Sequence, residues 1–116
     1  MLNDREITKA PENLTMAYLA HPYGGKPENV TRAAQLRARM QQSRPEITIF
    51  SPVEHFSPLE GRAEEPEILR HCLTVLRRCD ALWAAPGHEG SKGCAMEIAY
   101  AHAHGIPVLY LEAADE

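Results

Sequence analysis

Four short apolar runs, each separated from the next by a stretch of helical periodicity, are the feature that most narrows the possible folds. The runs are Met16–Ala20, Ile47–Phe50, Ala81–Ala85 and Pro107–Leu111. The stretches between them read as helices over about 28–42, from near Pro66 to Arg78, and over about 91–104. The order is therefore βαβαβαβ, which implies a parallel sheet joined by right-handed crossovers. In such sheets ligands bind beyond the carboxyl ends of the strands. The loops predicted there are Ala20–Lys26, Ser51–Glu64 and Pro86–Gly93, and nearly all the unusual polar residues fall in them.

Local signals support these elements. Val30, Ala33, Ala34, Leu36 and Met40 give the first helix an apolar stripe, with Asn29 or Glu28 near its start. Ile47-Thr48-Ile49-Phe50 is β-branched and ends at Ser51-Pro52. The stretch from Val53 to Glu65, with His55, Phe56 and Pro58, is expected to be one long loop, the kind that is functional or mobile. Pro66 suits the first turn of the next helix, and Arg77 and Arg78 suit its last. Gly105 and Pro107 stop the third helix.

The 116 residues fit one domain: a polar leader over 1–14, the α/β unit over 15–112 and an acidic tail over 113–116. Hydrophobic residues make up 44%, enough to form a core. A net charge of −4 offers no electrostatic footprint for duplex nucleic acid. No apolar run is long enough to span a membrane, and residues 1–14 lack the apolar stretch of a secretory signal. Three cysteines, an odd number, suit reduced thiols, and a cytoplasmic location is expected.

The segment Gly87–Glu97 carries the most chemistry. Its glycines allow close approach of a ligand, and Ser91 opens a helix whose N-terminal N–H groups suit an anion. Ser91 equally fits a plain N-cap. Neither a P-loop nor a Gly-x-Gly-x-x-Gly dinucleotide fingerprint is present. Glu97 lies about two turns into that helix, among Ala95, Met96, Ile98 and Ala99, where a carboxylate can act as nucleophile or base, although spacing alone favours a solvated surface glutamate. His71, Cys72, Cys79, Cys94, His102 and His104 show no metal-ligand spacing, so no metal and no cofactor is expected.

Tyr18-Leu19-Ala20-His21-Pro22-Tyr23, Asn29, Cys79-Asp80-Ala81-Leu82-Trp83, Ser91-Lys92-Gly93-Cys94-Ala95-Met96-Glu97 and Gly105-Ile106-Pro107-Val108 occur in that order. Together they resemble the nucleoside 2-deoxyribosyltransferase superfamily, which includes the nucleoside 5′-monophosphate N-glycosidases and small phage and bacterial domains of unassigned function. The resemblance covers about Met16 to Leu111. It implies a flavodoxin/Rossmann-like three-layer α/β sandwich with a four- to five-stranded parallel sheet. It also implies that Glu97 attacks the anomeric carbon, with an oxocarbenium-like transition state. Tyr18 would touch the sugar or orient Glu97. Ser91 would contact a 5′-phosphate, where the nucleoside transferases place an aspartate that would repel one. His21, Pro22, Tyr23, Lys26, His55, Lys92 and Gly93 would complete the substrate pocket, and a homodimer or higher oligomer is implied.

One departure stands out. Catalytic members of the superfamily carry an aspartate where this chain has Cys72, beside His71. A neutral thiol is a poor proton donor, and Cys72 also fits the buried face of its helix. His21, His55, His71 or His88 would have to supply the proton, and spacing assigns none of them. Asp80, at the entrance to a strand, is expected to accept backbone hydrogen bonds. The expected activity is N-glycosidase, or else deoxyribosyltransferase, on a nucleoside 5′-monophosphate. A non-catalytic nucleotide sensor is the alternative. A lysine-decarboxylase-like phosphoribohydrolase fits less well, because Pro86-Gly87-His88-Glu89-Gly90 departs from that family's glycine-rich run.

Overall fold

The computed structural model describes residues 15–112. The expected leader over 1–14 and tail over 113–116 lie outside the described residues. Among the described residues four strands form one parallel sheet: β1 (Met16–Ala20), β2 (Thr48–Phe50), β3 (Ala81–Ala84) and β4 (Val108–Tyr110), in the spatial order β2-β1-β3-β4. Register is fixed by pairs such as Tyr18 with Phe50, Tyr18 with Leu82, and Trp83 with Leu109.

The side chains of β1 alternate between two cores, as the strand period requires. Ala17 and Leu19 join Leu36 and Met40 of α1 (Pro27–Ser43), together with Ile49 and Trp83. Tyr18 and Ala20 pack on the other face with Leu76, Cys94 and Ala101. Those residues come from α3 (Glu65–Leu76) and α4 (Lys92–Ala103). The result is a helix–sheet–helix sandwich.

The helix ends follow from local chemistry. Pro27 lies in the first turn of α1, where its missing N–H costs nothing. Ser91 caps α4 by accepting a hydrogen bond from Cys94 N at 3.1 Å. At the other end of α4, Gly105 (φ +68°) closes the helix: its N–H donates to His102 O and that of Ile106 to Ala101 O. This double bond pattern needs a left-handed residue, which glycine adopts without strain. Asp80 Oδ2 accepts from Met16 N at 2.8 Å, the backbone role expected of it, and ties the start of β1 to that of β3.

The stretch from Val53 to Glu65 is not a single loop. It holds a short helix, α2 (Pro52–Phe56), and a 3₁₀ turn (Ser57–Leu59), and α3 already begins at Glu65. The prolines that suggest a loop sit in the first turns of these elements, where proline is compatible with helix. Burial of Pro52 and Val53 holds α2 against the domain. Among the described residues no helix is long and apolar enough to cross a membrane.

Candidate active site

The chain leaves β1 for a helix on one face of the sheet, and returns from β2 across β1 to β3 through helices on the other. Connections therefore diverge between β1 and β3, and a crevice opens beyond their carboxyl ends. Ala85 N donates to Ala20 O at 2.8 Å and closes the sheet there. Gly87 (φ +89°) brings the loop after β3 against the loop after β1: a Cβ at this position would lie 3.8 Å from Pro22 Cγ.

A cavity of about 670 Å³ occupies the crevice. Its walls come from the loop after β1 (His21 to Lys26), from Phe56 and Ser57, from Ile68, Leu69 and Cys72 of α3, and from the Gly90–Cys94 turn with Glu97 of α4. This size suits a small-molecule ligand. Asn29 Nδ2 donates to Tyr23 O at 2.9 Å, which holds the loop after β1 in shape.

Glu97 is the carboxylate on the inner wall, only 6% exposed. Its carboxyl is pushed up to about 7 by burial, against the opposing effect of a hydrogen bond from Tyr18. Tyr18 is fully buried in the central strand, and its hydroxyl donates to Glu97 Oε2. Burial, and next the Glu97 charge, hold that hydroxyl well above its ordinary range, so it remains a donor. Tyr18 sits behind Glu97 and is not part of the cavity wall.

Cys72 has two surroundings: it packs against the core beside β1 and also lines the cavity. Burial and then the Glu97 charge push its thiol up to about 11, so it is a neutral neighbour of Glu97. Ser91, Lys92 and Gly93 meet the cavity at the start of α4. The Ser91 oxygen accepts from Cys94 N, and its hydroxyl also lies within hydrogen-bond reach of the Cys94 sulfur.

The residues singled out in the sequence are mostly brought together. Glu97, His21, Pro22, Tyr23, Lys26, Ser91, Lys92 and Gly93 all line the cavity. His55 does not. It borders a separate recess of about 380 Å³, with Arg37, Phe50 and Glu54, on the outer side of β2. Successive residues of a helix point in different directions, so Phe56 faces the cavity while His55 packs edge-on against it, with centroids 4.8 Å apart. Sequence reasoning missed Glu60, Ile68 and Leu69, which also line the cavity. Spacing offered one signal: Ile68, Leu69 and Cys72 form one helical stripe.

A family model described as "Nucleoside 2-deoxyribosyltransferase" matches residues 17–116. Among solved structures, the chain is similar to a conserved protein from Enterococcus faecalis V583, with a TM-score of 0.68 and 24% identity. That match covers 84% of this chain and 63% of the other. It is also similar to a 2-deoxyribosyltransferase from the psychrotolerant bacterium Bacillus psychrosaccharolyticus, with a TM-score of 0.60 and 19% identity. Here 83% of this chain and 71% of the other are covered. At these identities the likeness is one of fold. No curated protein matches the chain.

Proposed function

The chain belongs to the nucleoside 2-deoxyribosyltransferase family, and from that premise we propose that it breaks the base–sugar bond of a nucleoside 5′-monophosphate, with Glu97 as nucleophile. The observation that carries the proposal is the Tyr18–Glu97 pair: a buried carboxylate facing a nucleotide-sized cavity and held by a buried hydroxyl.

In the first step a Glu97 oxygen forms a bond to C1′ as the C1′–N bond breaks. The electron pair leaves on the base nitrogen, which takes up a proton. In the second step water attacks C1′, gives up a proton, and Glu97 departs as carboxylate. A second base in place of water would make the reaction a deoxyribosyl transfer. Tyr18 keeps one Glu97 oxygen engaged, so the other is directed at the sugar.

Support for a 5′-phosphate comes from the start of α4. Ser91 precedes Glu97 by six positions, which is about 9 Å along a helix axis and the scale of a pentose 5-phosphate. The Ser91 hydroxyl, the first N–H groups of a 12-residue helix and the Lys92 ammonium favour an anion there. A second copy of the chain is part of the same proposal: Met96, 46% exposed, lines the cavity and would be covered by a neighbour. A monomer mass by light scattering would remove that part.

Base release from ribo- and deoxynucleoside 5′-monophosphates, followed by chromatography with and without an acceptor base, tests the proposal. Wild type should release base and Glu97→Ala should not. Exchange of bases without net release would assign transfer. Saturable binding without either product would favour a nucleotide-sensing module, the reading that Cys72 supports by placing a neutral thiol beside Glu97.

A further inference from the structure

The reaction proposed above needs a proton for the departing base, and neither Glu97 nor Cys72 is placed to give it. Glu97 must be ionised to attack C1′, and the Cys72 thiol holds its proton too tightly. We infer that His21 is the general acid that protonates the leaving base through Nε2.

Of the six histidines, His102 and His104 lie at the end of α4 remote from Ser91, and the fold separates the other four. His55 borders the recess on the outer side of β2. His71 is exposed and stacks on Phe56, with centroids 5.6 Å apart. His88 turns toward Tyr110 at 5.2 Å, with Nδ1 3.0 Å from Ala85 O. Among the described residues His21 is the one histidine on the cavity wall.

Its setting also selects the nitrogen. His21 follows the last residue of β1 directly and is 6% exposed, so its ring is held in place. Nδ1 lies 2.8 Å from Pro22 O. A carbonyl oxygen only accepts, so Nδ1 carries a hydrogen in the neutral and in the charged ring alike. The proton that comes and goes is therefore the one on Nε2, and Nε2 has no hydrogen-bond partner among the described residues. A ring nitrogen that can carry or release a proton suits donation to a departing base nitrogen. When C1′–N breaks, the pair on nitrogen takes the Nε2 proton and the ring becomes neutral. In the second step the neutral Nε2 takes the proton from the attacking water, and the balance closes.

Leaving-group dependence tests this. The 5′-monophosphate that wild type cleaves best is compared with the 4-nitrophenyl glycoside of 2-deoxyribose 5-phosphate, whose leaving group departs as a stable anion. His21→Asn keeps a donor toward Pro22 O. It should lower kcat/KM, which reports the cleavage step and not the attack of water, about 100-fold on the nucleotide and less than about threefold on the aryl glycoside. Wild type itself should lose activity on the nucleotide as pH rises and Nε2 gives up its proton. This alkaline fall needs no variant to fold, and it should be absent on the aryl glycoside.

Glu97 and Cys72 inside the cavity, and Tyr23, Lys26, Glu60, Glu65 and Lys92 around it, are the other ionisable groups. They act on both substrates and cancel in the ratio of the two profiles. Equal losses on both substrates, no loss on either, or no alkaline fall on the nucleotide would overturn the assignment. A wild type that releases base from no monophosphate would remove the glycosidic reaction itself, and the acid role with it. That outcome is separate from an active wild type indifferent to His21→Asn.

Discussion

The Tyr18 hydroxyl donates to Glu97 Oε2, joining a central strand to the second turn of α4 across 79 positions of sequence. The pair ties the sheet to the helix that carries the Ser91–Gly93 turn, so the stability of the fold and the reactivity of the carboxylate depend on the same contact.

The Glu97 carboxyl, raised to about 7 chiefly by burial, makes activity and stability respond to pH in opposite directions. A nucleophile must be ionised, so kcat/KM on the aryl glycoside, whose cleavage needs no acid, is expected to climb as pH rises through about 7. The folded value lies above the ordinary 4.5. The group's stabilising contribution is therefore full below about 4.5 and lost as pH rises through about 7. Glu97→Gln should flatten this dependence and raise stability at pH 8 by at most about 3 kcal/mol. Urea titrations at several pH values, beside the activity profile, check both limbs. A Glu97→Gln protein with the wild-type pH dependence would show that Glu97 is not the group.

Tyr18→Phe should move the acid limb upward. The hydroxyl favours the charged form of Glu97, so its loss pushes the carboxyl above about 7. At neutral pH kcat/KM on the aryl glycoside should fall by about 10- to 100-fold, with part of the loss recovered at higher pH. A uniform loss at every pH would mean that Tyr18 does more than orient and ionise Glu97.

How much of this arrangement is legible in the sequence depends on how local its cause is. β1 and β3 stand out because both faces of a central parallel strand are buried, leaving continuous apolar runs at Ala17–Ala20 and Leu82–Ala85. Gly105 and Ser91 mark the ends of α4 through chemistry confined to a few residues. α2 is not legible, because Pro52 and Pro58 break a helix pattern in the sequence while occupying first-turn positions in space. The Tyr18–Glu97 bond and the cavity-facing side of Cys72 depend on how α3 and α4 pack against the sheet. His55 and Phe56 are adjacent in sequence yet border different recesses, a distinction set by the rotation of one short helix.

Cys72 offers a readout of cavity occupancy that does not depend on turnover. It is half-buried and lines the cavity, whereas Cys94, which also borders the cavity, and Cys79 are buried. A small neutral thiol reagent should therefore label Cys72 first, as peptide mapping by mass spectrometry would show. With the thiol pushed up to about 11 by burial and the Glu97 charge, the rate at pH 7 should be at least about 100-fold below that of an unhindered cysteine. A bound nucleoside 5′-monophosphate should slow it further. Labelling that ignores the nucleotide would place the ligand elsewhere.

Ser91 separates helix capping from phosphate recognition, because two substitutions change the roles independently. Ser91→Ala removes the acceptor that satisfies Cys94 N and should destabilise the fold by about 1 kcal/mol. Ser91→Asp keeps a good cap, and the carboxylate suits the positive end of α4, so stability should hold. The same carboxylate would face the proposed 5′-phosphate, and repulsion should lower kcat/KM for monophosphates by about 100-fold. Unphosphorylated nucleosides carry no such charge and should be spared, so the ratio of the two substrate classes is the quantity to measure. If Ser91→Asp reduced both classes alike, the start of α4 would be a structural cap and the anion site would have to lie on another wall of the cavity.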